Sequence, residues 1–253
     1  MKDILIAKTQ VKNNNRKIFS LFCFCSTLSL TLKRNIKNIM IPKYSYIVIE
    51  GNIGAGKTAL ATKIAKQYKA KLILESFENN PLLPKFYENP EKYSFPLELS
   101  FLASRYKQLK EEITVENLYY PFTIADYYFT KSLIFSNATL LDEEYKLYSQ
   151  FFFKIFDIFP TPDIYIYLHI EPERLLQNIK KRGRNYEQSI TLEYLQKIQE
   201  NYFLFFNRNP ENKYLVIDVN QIDFVDNEED YMKVINAIFN SDYSTGINKV
   251  ILC

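Results

Sequence analysis

Residues 51–58 read GNIGAGKT, which places Gly51, Gly56, Lys57 and Thr58 at the spacing G-x-x-x-x-G-K-[ST]. Each residue type there suits a polyphosphate. Glycines let the backbone wrap until several N–H groups converge on one anion. A helix starting behind the loop adds the positive end of its dipole. Lys57 would neutralise charge on the β- and γ-phosphates, and the Thr58 hydroxyl suits Mg²⁺. The whole stretch, Gly51, Asn52, Ile53, Gly54, Ala55, Gly56, Lys57 and Thr58, is therefore a candidate ATP-binding loop. A second charged group follows at KKRGRNYEQSI, where Lys180, Lys181, Arg182 and Arg184 crowd between two helical patterns. Such a segment can close as a lid, bring guanidinium groups onto a transferring phosphoryl group and exclude water. Glu75 ends the apolar run KLILE, where a carboxylate could take a proton from an acceptor hydroxyl. His169, the single histidine, lies inside DIYIYLHI and suits a strand end better than acid–base work. The two Asn-Lys pairs, at 212–213 and 248–249, lack the aspartate of a guanine-reading Asn-Lys-x-Asp, and no Walker-B strand ending in acids is visible. A small kinase fits better than a GTPase or a motor.

These groups need a scaffold. Short β-branched or apolar runs at 46–50, 71–75, 121–126, 163–170 and 213–219 predict five strands. Helical patterns follow at 58–68, 81–113, 127–135, 142–159, 171–181, 191–207 and 228–239, with Pro81, Pro84, Pro90 and Pro96 marking starts or breaks. Strands alternating with helices predict an α/β fold: a five-stranded parallel sheet flanked by helices, with an Arg-rich lid.

The chain has 253 residues, 47% of them hydrophobic, which is enough for one domain with a substantial core. Its net charge is +3, but residues 1–39 carry eight Lys/Arg and one Asp, a net +7 that leaves the remainder at −4. A mildly acidic domain excludes non-specific binding to a nucleic-acid polymer. Cys23, Cys25 and Cys253 outline neither a disulfide framework nor a zinc site, so a reducing, cytoplasmic setting is expected. The apolar stretch IFSLFCFCSTLSLTL is short for a membrane span, and no membrane partner is expected. Residues 1–39 are compatible with a targeting segment, an ill-ordered extension or a translated upstream stretch; Met40 is a natural start for the domain of residues 40–253.

Three longer stretches carry a resemblance: GNIGAGKT, LESFENNPLLPKFYENPEKYSFPLELSFLASR and RGRNYEQSITLEYL. Together they resemble the deoxynucleoside kinase family across nearly all of residues 44–240, most of all its bacterial deoxyadenosine/deoxyguanosine kinase branch. The resemblance implies ATP-dependent phosphorylation of a deoxynucleoside 5′-hydroxyl in a homodimer joined through helices of residues 81–158. Carried over by position, Glu75 is the general base, Tyr87 and Glu187 share the sugar 3′-hydroxyl, Arg182 and Arg184 hold the donor phosphates, and Arg105 belongs to the substrate pocket.

Two positions depart from the family pattern. Glu98 stands where many members have a glutamine reading the base edge. A carboxylate accepts hydrogen bonds only, which suits the adjacent donors of guanine; alternatively, Glu98 pairs with Arg105 seven residues on. At the end of the third strand, Asp126 can supply an acid for Mg²⁺ beside Thr58, but the family's following arginine is absent. Lys131 is its nearest basic candidate, a point charge rather than a planar fork. Two rival readings therefore stand beside the kinase: a nucleotide-binding regulatory module with poor transfer, and a kinase for another small acceptor such as a nucleoside monophosphate.

Overall fold

β1 (Tyr46–Gly51) is buried along its full length, as a strand covered on both faces must be. Its side chains alternate. Ile47 and Ile49 enter one apolar layer and Tyr46 and Val48 the other. Five further strands complete the sheet: β2 (Lys71–Ile73), β3 (Thr123–Ala125), β4 (Ile164–His169), β5 (Lys213–Asp218) and β6 (Gly246–Ile251). Their order is β2-β3-β1-β4-β5-β6, and every pairing is parallel. The structure, a computed structural model, describes residues 43–77, 80–113, 119–156 and 158–253, and the expected extension of residues 1–39 lies outside them.

Eight α-helices cover the described residues: α1 (Lys57–Tyr68), α2 (Leu82–Glu88), α3 (Pro90–Ile113), α4 (Lys131–Thr139), α5 (Asp142–Phe156), α6 (Pro172–Arg182), α7 (Leu192–Arg208) and α8 (Glu228–Phe239). Leu60 and Ile64 of α1, Leu175 and Ile179 of α6, and Val234 and Ile238 of α8 pack on the Ile47/Ile49 face. Leu102 and Leu109 of α3, Leu133 of α4, Phe152 of α5 and Tyr202 and Phe206 of α7 pack on the other. Each such fully buried side chain contributes about 1.5–3 kcal/mol. β1 lies at the switch point, with β3 on one side and β4 on the other, so the loop after it opens into the crevice where parallel sheets bind ligands.

Two expectations are corrected. The sheet has six strands, not five. β6 is an edge strand whose polar Asn248 and Lys249 interrupt the apolar run, and its residues are half-buried or exposed, so its sequence lacks the signature of a buried strand. The helix expected from residue 127 starts at Lys131 instead. Tyr127, Tyr128 and Phe129 are apolar because they turn into the core, where each is fully buried. Backbone bonds from Lys131 N to Tyr128 O (3.0 Å) and Ser132 N to Phe129 O (3.0 Å) close the turn. Pro96 lies inside α3 without ending it.

Candidate active site

The loop after β1 is built as its spacing requires. Gly54 has φ 83° and Gly56 φ 85°, in the left-handed region that L side chains rarely adopt. A Cβ on Gly56 would lie 2.8 Å from the Phe224 ring, and one on Gly54 3.0 Å from the Leu175 carbonyl oxygen, so neither tolerates a side chain. Lys57 opens α1 and folds back to donate to the Asn52 carbonyl oxygen at 2.8 Å. Burial, together with the nearby Lys131 charge, holds its ammonium below the usual lysine range, while Glu50, Asp126 and Glu75 oppose that shift. The buried Asn52 side chain donates to Leu195 O at 2.7 Å, and Asn178 of α6 donates to Gly54 O at 3.0 Å. Both tie the loop to the α6–α7 segment.

Asp126, one residue past β3, joins two parts of the cleft. Its Oδ2 accepts from the Thr58 hydroxyl at 2.5 Å, and its Oδ1 accepts from the Glu75 backbone N–H at 2.8 Å. The hydroxyl and carboxylate are hard oxygen donors of the kind Mg²⁺ takes when phosphates and water complete its shell. Beyond Asp126, Glu75 sits between two cations. Arg105 reaches its Oε1 through Nε at 2.8 Å and Nη2 at 2.6 Å, and the Lys131 ammonium contacts Oε2. All three side chains are less than one-tenth exposed. Burial alone would raise the Glu75 carboxyl, but the Lys131 and Arg105 charges prevail and bring it down to about 2. Lys131 starts α4, where the helix dipole disfavours a cation; the Glu75 contact offsets that. Arg105 also donates to Ser132 Oγ at 2.9 Å.

The lid is a turn between α6 and α7, closed by a short 3-10 segment, Asn185–Glu187. Glu187 is buried and accepts from both lid arginines: Arg182 Nε at 3.1 Å and Arg184 Nη1 at 3.4 Å. Tyr186 stacks on Tyr87 of α2, with ring centroids 6.3 Å apart, and burial and the Glu187 charge push the Tyr87 hydroxyl up. Glu98 is buried in α3. Its Oε1 lies 3.2 Å from the Thr139 hydroxyl, which also reaches the Phe135 carbonyl oxygen at 3.0 Å, while its Oε2 has no hydrogen-bond partner among the described residues. Burial pushes its carboxyl up to about 7 despite the Arg105 charge. The alternative pairing of Glu98 with Arg105 is not formed, because Arg105 is committed to Glu75 and Ser132.

The Deoxynucleoside kinase family profile matches residues 47–241. This chain belongs to the deoxynucleoside kinase family. It is similar to a deoxyguanosine kinase of Bacillus subtilis (strain 168), 36% identical over 193 residues that span 75% of this chain and 93% of the relative. A deoxyadenosine/deoxycytidine kinase of the same organism is 30% identical, over 80% of this chain and 95% of its own length. Among solved structures, deoxyadenosine kinase from M. mycoides with bound dATP aligns with a TM-score of 0.66 and 28% identity, covering 78% of this chain and all of that one.

The kinase thus brings its expected site residues into two groups. Thr58, Asp126, Glu75, Arg105 and Lys131 form a connected chain of contacts, and Lys57, next to Thr58, feels the charges of Asp126, Glu75 and Lys131. Tyr87, Arg182, Arg184 and Glu187 gather at the lid. Glu98 is buried in α3, and its charge acts on Arg105, Tyr87 and Tyr194. Sequence reasoning missed Glu50. Buried at the end of β1, it accepts from Tyr128 N at 3.0 Å and Tyr202 OH at 2.8 Å, and its charge acts on Lys57. A lone acid closing the apolar run YIVIE was the available signal. Thr139 and Asn178 left none, since each is an ordinary polar residue in a helical pattern. His169 is the last residue of β4, 3.6 Å from Glu171, away from these groups. Among the described residues no helix is long and apolar enough to cross a membrane, and no cluster of three His, Cys, Asp or Glu forms a metal cage.

Proposed function

We propose that this kinase transfers the γ-phosphoryl group of ATP to the 5′-hydroxyl of a purine deoxynucleoside, deoxyguanosine or deoxyadenosine, in nucleotide salvage. One observation carries the reading. The Asp126 carboxylate touches both the hydroxyl of the phosphate loop and the backbone of Glu75, so a donor loop and an acceptor-side carboxylate share one cleft. In this reading the loop of residues 51–58 cradles the donor phosphates, and Thr58 and Asp126 hold Mg²⁺, which supplies neutralising charge when bound. Glu75 orients the 5′-hydroxyl and takes its proton. Arg105 and Lys131 hold Glu75 in place. Tyr87 and Glu187 bind the sugar 3′-hydroxyl, and Arg182 and Arg184 neutralise the donor phosphates. The purine preference rests on the relatives named deoxyguanosine and deoxyadenosine kinases and on Glu98 as an acceptor of hydrogen bonds. We infer further that residues 40–253 form the kinase domain, that the protein works in the cytoplasm, and that it is a homodimer.

The test is turnover of the full chain with Mg-ATP and each of the four deoxynucleosides and their ribonucleoside counterparts, following ADP and nucleoside monophosphate. Transfer to deoxyguanosine or deoxyadenosine with little to the ribonucleosides is expected. The missing arginine after Asp126 favours one rival, a module that binds ATP without transfer. Bound ATP with no transfer to any nucleoside would establish that rival instead.

A further inference from the structure

The lid turn carries one aromatic residue among polar ones. In RNYEQS, residues 184–189, Tyr186 stands between Asn185 and Glu187, and nothing in the proposed reaction uses it. Its ring lies on that of Tyr87 in α2, with centroids 6.3 Å apart and planes 14° from parallel, inside the range where aromatic pairs attract. Tyr87 in turn meets Tyr194 of α7 edge-on at 6.4 Å and Phe86 at 5.2 Å. Two more contacts fasten the lid to the same place. The Ser189 hydroxyl donates to the Tyr87 carbonyl oxygen at 3.4 Å, and the Arg184 guanidinium lies over the Phe77 ring, 5.0 Å from its centroid. The lid thus holds Tyr87 through both its ring and its main chain.

The turn that presents Tyr186 is stiff within and jointed at its α6 end. Glu187 N donates to Arg184 O at 3.0 Å and Ile190 N to Glu187 O at 3.1 Å, so residues 184–190 hold one shape. Gly183, at φ 74°, ends α6 in the left-handed region, and a Cβ there would meet nothing within 4 Å. A chain that turns at an uncrowded glycine can swing a stiff turn as a unit. The turn carries Arg184 and, through Glu187, holds Arg182. The same few residues therefore hold the guanidinium groups assigned to the donor and grip the tyrosine assigned to the acceptor.

We propose that Tyr186 couples the two substrates: its stack on Tyr87 joins the donor lid to the acceptor wall, so that each substrate tightens the binding of the other. This rests on the reading of Tyr87 as a ligand of the deoxynucleoside and of the lid arginines as ligands of the donor phosphates. Tyr186 is a positioning residue, which acts through Tyr87 and is assigned no contact with either substrate. ATP orders the lid, and the nucleoside orders Tyr87. A contact that exists only when both are in place makes the second ordering easier after the first, by the same factor in either order. The strength of the contact is the ceiling on that factor, and for one aromatic pair it is about 2–10-fold.

The experiment titrates deoxyguanosine and deoxyadenosine into the full chain by calorimetry, with and without saturating Mg-β,γ-methylene-ATP, a donor that does not transfer. The ratio of the two dissociation constants is the coupling factor, and titrating the donor with and without nucleoside must return the same factor. Tyr186→Phe keeps the flat ring and is expected to keep the parent factor. Tyr186→Leu keeps apolar bulk beside Leu83, Phe86 and Leu97 without the ring face, and its factor is expected to fall about 2–10-fold. Tyr186→Ala is a second variant with the same expectation, and a folded sample of either carries the test. A tyrosine that only fills space would, on removal, change the melting temperature or both affinities and leave the factor where it was. A factor that differs by less than about twofold between the parent chain and Tyr186→Leu, or that falls as far in Tyr186→Phe, overturns the proposal and leaves the kinase reading intact. Donor binding by the parent chain, with neither nucleoside bound in its presence or absence, overturns both together.

Discussion

Glu75 is held by the two cations that a base must partly escape. A carboxyl brought down to about 2 is a weak proton acceptor, and Lys131 and Arg105 are the cause. The chemistry tolerates this, because phosphoryl transfer through a loose transition state asks little deprotonation of the nucleophile and much positioning of it. Glu75→Gln keeps the shape and removes the acceptor charge. Its kcat is expected to fall about 10²–10⁴-fold with ATP affinity retained; unchanged turnover would remove Glu75 from the chemistry. Lys131→Met tests the clamp itself. Glu75 is depressed, so the ionised form that the proposed base role needs is lost as pH falls through its folded value. Without Lys131 that value moves up by about 1–3 units, and the acid limb of the kcat/KM profile is expected to move up with it. Glu98 has the opposite sign. Its carboxyl is raised from 4.5 to about 7, so its contribution to stability is full below about pH 4.5 and is lost as pH rises through about 7. Glu98→Gln is therefore expected to raise the melting temperature at about pH 8 by several degrees, and by less at about pH 6. Equal gains at both values would show that the buried charge is not the cause.

The lid shows how an element prepares charge. α6 ends at Gly183, the 3-10 turn follows, and Thr191 caps α7 by accepting from Tyr194 N at 3.2 Å. Within that turn Glu187 gathers Arg182 and Arg184, so in the proposed reaction their guanidinium groups would be oriented before donor phosphates arrive, and orientation in advance lowers the cost of closing. Arg182→Ala is expected to lower kcat about 10²–10³-fold. Arg182→Lys is expected to recover only part of it, because a point charge cannot keep two nitrogens on one carboxylate while serving a phosphate. Full recovery by lysine would reduce the role of Arg182 to charge alone. The same elements show what the sequence made legible. The phosphate loop, β1, β4, β5 and α8 were plain, because glycine spacing, buried β-branched runs and helical period are local signals. The start of α4 was not. Tyr127, Tyr128 and Phe129 carry the composition of a buried helix face, but a tertiary turn buries them, and only that turn brings Lys131 onto Glu75. The unpartnered Oε2 of Glu98 was equally invisible, since it depends on where Arg105 goes.

At the scale of the whole molecule, the helix α5 exposes apolar side chains on both flanks of its buried stripe. Leu147, Phe151 and Phe153 of α5 and Leu204 of α7 are each 45% exposed or more, and Phe153 and Leu204 line a cavity of about 520 Å³ between α4, α5 and α7 on the flank away from Leu147 and Phe151. Leu147 and Phe151 are four residues apart and share one helix face, beside the buried pair Tyr148 and Phe152. Exposed apolar side chains on one helix, such as Leu147 and Phe151, suit an interface, and a second copy of the chain is the occupant proposed above. Symmetry makes the choice economical, because a two-fold contact lets one self-complementary patch cover itself. A stable interface of this kind buries about 1,200–2,000 Å² in total. Leu147→Lys with Phe151→Glu places charge in that patch without touching the buried residues of α5. The parent chain is expected to sediment as a dimer at micromolar concentration and the double variant as a monomer. α5 packs on α4, which carries Lys131 and Thr139, so the proposed interface would lie one helix from the cleft. The monomer is therefore expected to keep ATP binding at the loop of residues 51–58 while losing part of its kcat. A parent chain that sediments as a monomer would remove the second copy as the occupant of this face.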